Sequence, residues 1–128
     1  MRSLIFAASL LLTAPALATE WIHCSDAADQ ASVGLLLGGE DFTDILAITL
    51  SAGEAAWSSA EVYGPGEDVS VAQADLGDDR VMVDLADVND RVIAGLRVSI
   101  AEEGDDYVKG GTLRIAGQGA WVVECVGP

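Results

Sequence analysis

The two cysteines of this chain, Cys24 and Cys125, lie near opposite ends of the 128-residue sequence and are the only ones it contains. The sequence has no Cys-x-x-Cys pattern, so a structural disulfide is favoured over a redox pair. Such a bond would close almost the whole chain into one loop and hold its first and last strands side by side. In the chain-entropy description, closing a loop of about 100 residues contributes up to ~4.7 kcal/mol to stability.

Residues 1–18 have the order of a cleavable secretory signal peptide: a basic Arg2, an apolar run and the small-residue exit Ala16-Leu17-Ala18. The apolar run is too short to span a bilayer as an ordinary helix, and no later stretch predicts a membrane span. We therefore expect residues 19–128 to form one domain, located in the periplasm or secreted. An exported cysteine pair is also the setting in which disulfides persist.

The charge balance is strongly acidic, with 21 Asp and Glu against 6 Lys and Arg. Phosphate backbones and anionic lipid headgroups repel such a chain, so nucleic acid is not an expected partner. A cationic protein, or a cation such as calcium, is compatible with this charge. Lysine and asparagine each occur once, as Lys109 and Asn89, while Ala, Gly and Asp are abundant, a bias typical of GC-rich bacteria.

Period-two alternation of apolar residues predicts short strands along most of the chain. The clearest run lies between residues 91 and 100, where one face is predicted to carry Val92, Ala94, Leu96, Val98 and Ile100. Residues 44–51 alternate in the same way, with Leu46, Ile48 and Leu50 on one face. Turns rich in Gly and Asp separate these runs, and residues 102–106 are predicted to form an acidic loop.

About eight or nine short strands, without a convincing long helix, predict an all-β domain. The expected form is an antiparallel β-sandwich, with a small closed β-barrel as the alternative. Short connections from Val81 onward predict a meander in that half of the chain. The terminal strands are expected to be joined by the Cys24 to Cys125 disulfide.

Residue types that carry hydrolytic or zinc chemistry are too few in this sequence to form a site. The only histidine is His23, and no serine lies in a nucleophile elbow. Zinc would need several His or free Cys ligands. We expect no enzyme activity, and a hydrolase built on carboxylates alone is the least favoured alternative.

Calcium is the one metal for which the chain has enough ligands, because carboxylates are plentiful. The candidate site comprises four residues before the clearest strand: Asp84, Asp87, Asn89 and Asp90. A second acidic cluster follows that strand at Glu102, Glu103, Asp105 and Asp106. Neither has the spacing of an EF-hand loop, and solvated turns are the alternative interpretation of both.

The least regular segment, residues 52–66, carries two of the few aromatic residues, Trp57 and Tyr63. It is a candidate binding loop, because loops held by a rigid scaffold often line sites. The competing interpretation is a loop pinned to the core by Trp57, since aromatic side chains mostly supply packing mass.

These observations favour an exported, non-enzymatic domain of the bacterial envelope that acts by protein or ligand binding, toward a cationic partner. The alternative is a calcium-stabilised structural module.

Overall fold

The computed structural model describes residues 18–128, so the predicted signal peptide lies outside the described residues except for Ala18. These residues form ten strands, close to the eight or nine expected: β1 (Glu20–Ser25), β2 (Ala31–Gly38), β3 (Asp44–Ala52), β4 (Ala55–Ser58), β5 (Glu67–Asp68), β6 (Ser70–Leu76), β7 (Arg80–Ala86), β8 (Val92–Glu103), β9 (Asp106–Ile115) and β10 (Gly119–Val126). A short 3₁₀ helix, Glu61–Tyr63, follows β4. The all-β prediction is confirmed.

All ten strands belong to one sheet, in the order β5-β4-β3-β2-β1-β10-β9-β8-β7-β6. Sequence neighbours pair antiparallel, except that β4 and β5 are parallel and β5 does not pair with β6. The predicted meander from Val81 onward is confirmed. The pairing of β1 with β10 joins the two ends of the described chain, and Cys24 and Cys125 form the expected disulfide across it.

The two outer strands of the sheet, β5 and β6, are separated in sequence only by Val69. Val69 is buried, and its backbone N–H donates to the Ser58 carbonyl at 3.3 Å. The chain therefore steps at Val69 from one edge of the sheet to the other, and the sheet nearly closes on itself. This geometry agrees with the expected sandwich and with its closed alternative.

The core lies between the inward faces of the strands and is built by the alternation that the sequence predicts. Its most deeply buried side chains are Cys24, Val33, Leu35, Leu50, Val83, Leu85, Leu113, Ile115 and Val123. In the clearest strand, Ala94, Leu96 and Val98 are buried as expected. Burial of such aliphatic side chains, at roughly 1.5–3 kcal/mol each, is the main stabilising contribution.

Two residues that the alternation places on the same face as buried neighbours are exposed, because a β-bulge interrupts the alternation beside each. The register between β2 and β3 shifts at Leu36/Leu37, and Leu46 is 51% exposed. The register between β7 and β8 shifts at Leu85/Ala86, and Val92 is 50% exposed. A bulge adds one residue to a strand, which turns the following side chains to the other face. Ile45 and Ile93 pack against the core in their place.

The predicted acidic loop at residues 102–106 is mostly strand. Glu102 and Glu103 end β8, and Asp106 begins β9, so only Gly104 and Asp105 form the turn. Glu102 thereby becomes a fixed strand residue that pairs with Tyr107.

Candidate functional site at one end of the sheet

Every second turn of the sheet lies at the same end, because consecutive strands run in opposite directions. The turns β2–β3, β6–β7 and β8–β9 meet in this way, together with Pro128, around an open cavity of about 1060 Å³. We call this cavity the mouth. Its floor consists of Ile22, Leu37, Leu76, Val81 and Ile100, its aromatic walls of Phe42 and Tyr107, and its carboxylate-bearing residues of Glu40, Asp41, Asp78, Asp79 and Glu102.

The β6–β7 turn is held against the sheet by backbone hydrogen bonds. The Gly77 N–H donates to the Arg80 carbonyl at 2.9 Å, which closes the turn. The Ile100 N–H donates to the Asp79 carbonyl at 2.8 Å, which ties the turn to β8. Asp78 and Asp79 are therefore carried on a short, anchored backbone.

The β2–β3 turn reaches the mouth through Phe42, which has a φ of 53°. A bulky residue in the left-handed region is uncommon and costs of order 1 kcal/mol or more. The partly buried Phe42 side chain packs against the core, which offsets this cost and places Glu40 and Asp41 beside the cavity. Backbone strain of this kind is a feature of sites at which a side chain is held in position.

Within the part of the chain that the structure describes, no basic residue belongs to the lining of the mouth. The Arg80 side chain forms a salt bridge with Asp75, which does not line the mouth, and its Nη2 lies 2.9 Å from Asp75 Oδ2. Lys109 is buried; it donates to the Gly127 carbonyl and lies 5.1 Å from the centre of the Tyr107 ring. None of the residues lining the mouth is Lys, Arg or His. The five carboxylates thus surround an apolar floor without a lining cation.

The structure places the candidate calcium ligands in two different environments. Asp84 lies on the outward face of β7, where its Oδ1 accepts from Arg97 Nη1 at 2.9 Å. Asp87 lies in the β7–β8 loop, where its Oδ1 accepts from the backbone N–H groups of Asn89 and Arg91 at 2.9 and 3.0 Å. Asp90 is exposed and has a positive φ of 59°.

Among residues 18–128, no group of three or more His, Cys, Asp or Glu side chains is arranged to hold a metal ion. The acidic residues Glu102 and Glu103 end β8, at the opposite end of that strand from Asp90. Calcium binding remains a prediction from the sequence.

The two aromatic residues of the candidate binding loop are not brought together. Trp57 is partly buried and packs against the core, which agrees with the pinned-loop interpretation. Tyr63 lies on the outer face of the sheet, where its ring meets that of Trp21 edge-on at 6.0 Å. The Trp21 ring in turn stacks on His23 at 5.6 Å. Tyr63, the last residue of the 3₁₀ helix, thereby anchors that helix over β1.

The mouth is not predictable from the sequence, because its carboxylates come from two turns and the end of β8, which are far apart along the chain. Glu40-Asp41 and Asp78-Asp79 follow glycines, and these patterns alone predict only solvated turns. One feature of the sequence does point to the mouth: in a meander of antiparallel strands, every second turn lies at the same end of the sheet, so acidic turns that alternate in this way come together.

Comparison with protein-family models, with curated proteins and with solved structures gives no match for this chain. In the described residues, no helix is long and apolar enough to cross a membrane.

Proposed function

We propose that this protein is an exported, non-enzymatic binding domain of the bacterial envelope that holds a cationic segment of a partner protein in the mouth. The observation that carries the proposal is a set of five carboxylate residues around an apolar floor, with no basic residue in the lining. The signal-like residues 1–18 and the disulfide support an oxidising location outside the cytoplasm.

The chemistry of the mouth fits an arginine or lysine beside an apolar side chain. The carboxylates attract the cation over a distance of about 10 Å at 0.1 M salt, which raises the association rate. The floor, with Phe42 and Tyr107, supplies apolar contact area for the neighbouring side chain and for the aliphatic part of the lysine or arginine. In this proposal the carboxylates select a cationic partner, and the apolar contacts contribute most of the binding free energy.

The surface charge supports a protein segment rather than a nucleic acid or an anionic membrane. With 21 acidic residues against 6 basic ones, the chain repels phosphate groups. A peptide with alternating arginine and leucine provides both features that the mouth offers to a ligand. The same peptide with glutamate in place of arginine keeps the apolar residues and reverses the charge.

The test is fluorescence anisotropy of the labelled arginine–leucine peptide against the mature chain at low salt. The double variant Asp78→Asn/Asp79→Asn should bind at least about tenfold more weakly, or ~1.4 kcal/mol. The matched control is Glu61→Gln/Glu124→Gln, which removes the same charge from exposed residues outside the mouth lining. The control should bind as the wild type does.

Two outcomes would contradict the proposal. Equal loss in both double variants would mean that net charge, and not the mouth, attracts the peptide. Equal binding of the glutamate peptide would remove the role of the carboxylates altogether.

A further inference from the structure

The end of the sheet opposite the mouth carries two of the three tryptophans, Trp57 and Trp121. Both belong to the inward-facing side of their strands, since Trp57 pairs with Leu50 and Trp121 with Leu113, two fully buried core residues. Each indole is partly buried and packs partly against the core. Each also lines an open cavity at this end, of about 620 Å³ at Trp121 and about 600 Å³ at Trp57.

The two cavities are neighbours, because Glu54, Ala55 and Gln118 line both. Together they form one groove with an indole in each half, which we call the tryptophan groove. The indoles do not stack on each other, since the ring contacts of the described residues join Trp21 to His23 and to Tyr63 only. The groove thus presents two separate aromatic surfaces, and the polar residues Glu54 and Gln118 line both of its halves.

Small residues leave the indoles accessible from the groove. The lining includes Ala52, Gly53, Ala55, Ala56 and Gly66. Gly119 permits the position of Trp121, because a Cβ at Gly119 would come within 3.0 Å of the indole ring. The Gln30 carbonyl accepts the Gly53 N–H at 3.0 Å, which joins the two turns on this side of the groove.

The polar lining consists of amides and carboxylates: Gln30 and Gln118, with Asp29, Glu54 and Glu67. No Lys, Arg or His lines either cavity. Phosphate and carboxylate ligands would therefore meet only repulsion here. The amide side chains can both donate hydrogen bonds to neutral hydroxyl groups and accept them, and the carboxylates can accept hydrogen bonds from those hydroxyl groups.

We propose that the tryptophan groove binds a neutral oligosaccharide, with one sugar ring on each indole and the intervening hydroxyl groups on Gln118 and Glu54. The π-face of an indole carries partial negative charge and attracts the weakly positive C–H face of a sugar ring. The partly exposed aromatic surfaces and their few polar neighbours suit a ligand with alternating apolar faces and hydroxyl edges. This site is separate from the mouth, and the inference does not rest on the function proposed above.

The separation of the two indoles favours a chain of sugars over a single organic cation. An ammonium ion is held best when several aromatic faces surround one point. In the groove each indole lines a different cavity, and Gln118 lines both. A ligand that uses both surfaces must be extended, so affinity should rise with the number of sugar rings.

The experiment uses intrinsic fluorescence of the mature chain carrying Trp21→Phe. Because the chain has three tryptophans, this variant leaves Trp57 and Trp121 as the reporters. The probes are chitohexaose, which is a neutral hexamer of N-acetylglucosamine, and the N-acetylglucosamine monomer. We expect a saturable change with chitohexaose and at least about tenfold weaker binding of the monomer.

Calorimetric titration of the wild type with chitohexaose provides a second measurement that does not depend on fluorescence. Gln118→Ala changes an exposed turn residue and should leave the fold intact while it weakens binding. Trp57→Phe and Trp121→Phe should each weaken binding severalfold, whereas Trp21→Phe, the matched control on the outer face, should not.

Absence of a titratable signal with chitohexaose up to about 10 mM, a concentration that would reveal millimolar affinity, would overturn the proposal. It would also be overturned if the monomer bound as tightly as the hexamer. Saturable binding of tetramethylammonium at the same indoles, with none of chitohexaose, would instead identify the groove as a cation site.

Discussion

Cys24 lies directly opposite Cys125 in the β1–β10 pair, with the two Cα atoms 4.0 Å apart although 101 residues separate them in sequence. Replacement of both residues by alanine should destabilise the fold by 2 to ~4.7 kcal/mol, because the unfolded chain loses its largest constraint. Urea denaturation of the double variant measures this change. A single-residue variant is the less informative comparison, since it leaves a free thiol.

The same experiment tests whether strand pairing persists without the bond. The backbone pairing of β1 with β10 extends from His23↔Val126 to Ser25↔Glu124, so the double variant should retain its far-ultraviolet circular dichroism spectrum in the absence of urea. Loss of strand signal at zero denaturant would show that the disulfide is required for the sheet to form at all.

Gly111 and Gly110 are adjacent in β9 but differ in the space that a side chain would meet. A Cβ at Gly111 would come within 2.7 Å of the Arg97 carbonyl carbon and still closer to its oxygen, whereas a Cβ at Gly110 would lie 3.4 Å from the nearest atom, the Val123 oxygen. Gly111→Ala should therefore destabilise the chain by about 1–3 kcal/mol or more, as overpacking does.

Gly110→Ala is the matched control and should change the thermal midpoint much less. Equal stability of the two variants would mean that β8 and β9 can separate at Gly111 without cost. Differential scanning calorimetry of both proteins makes the comparison.

Asp26 organises the β1–β2 loop by accepting backbone hydrogen bonds. The Ala31 N–H donates to its Oδ1 at 2.8 Å and the Gln30 N–H at 2.7 Å. These bonds, the Ala31 bond foremost, hold the pKa of the Asp26 carboxyl below its ordinary value of 3.8. The carboxylate form is thus favoured in the folded state.

The resulting stabilisation is present above a pH of about 3.8 and is lost as the pH falls through the lowered pKa of the folded state. Asp26→Asn should consequently be less stable than the wild type at neutral pH, with the difference shrinking as the pH falls below 3.8. Chemical denaturation at a series of pH values would contradict the assignment if the Asp26→Asn difference did not depend on pH.

Lys109, the only lysine, is 6% exposed and hydrogen-bonded to the Gly127 carbonyl. Its amine should react slowly with an acylating reagent in the folded protein and rapidly in urea, because reaction requires local opening. Peptide mass spectrometry would locate the label. Rapid native labelling would show that the chain around Gly127 leaves β9 readily.

Calcium addition tests the cluster of Asp84, Asp87, Asn89 and Asp90 that the sequence suggests. The Asp84 carboxylate is paired with Arg97, and one Asp87 oxygen already accepts two backbone N–H groups. We expect millimolar calcium to leave the melting temperature unchanged relative to magnesium. A rise with calcium alone would favour the calcium-stabilised structural module.

The fold was predictable where a local pattern determines it. Alternation placed Leu96 and Val98 in the core, and the cysteine count identified the disulfide. Leu46 and Val92 were assigned to the wrong face because a bulge depends on how two strands pair, which one strand's sequence does not reveal. A single extra residue in a pair is enough to reverse the face of each side chain that follows it.

The mouth and the tryptophan groove were not predicted because each is assembled from turns distant in sequence. The sequence leaves two interpretations of Trp57, a binding loop and a loop pinned to the core, and its packing against the core agrees with the second. Its position beside the cavity that Gln118 also lines depends on the approach of the β9–β10 turn to β4. Such an approach follows from the closure of the sheet and not from either segment alone.

The pairing of β1 with β10 is the step that completes the sheet, because it joins strands from the two ends of the described chain. The other strand pairs join neighbours in sequence, so each half of the sheet can assemble from short-range contacts. β1 must wait for β10, the last of the ten described strands in chain order. Until then, the Cys24 thiol and the unpaired edge of β1 remain accessible to other partners. Pairing with β10 covers both at once.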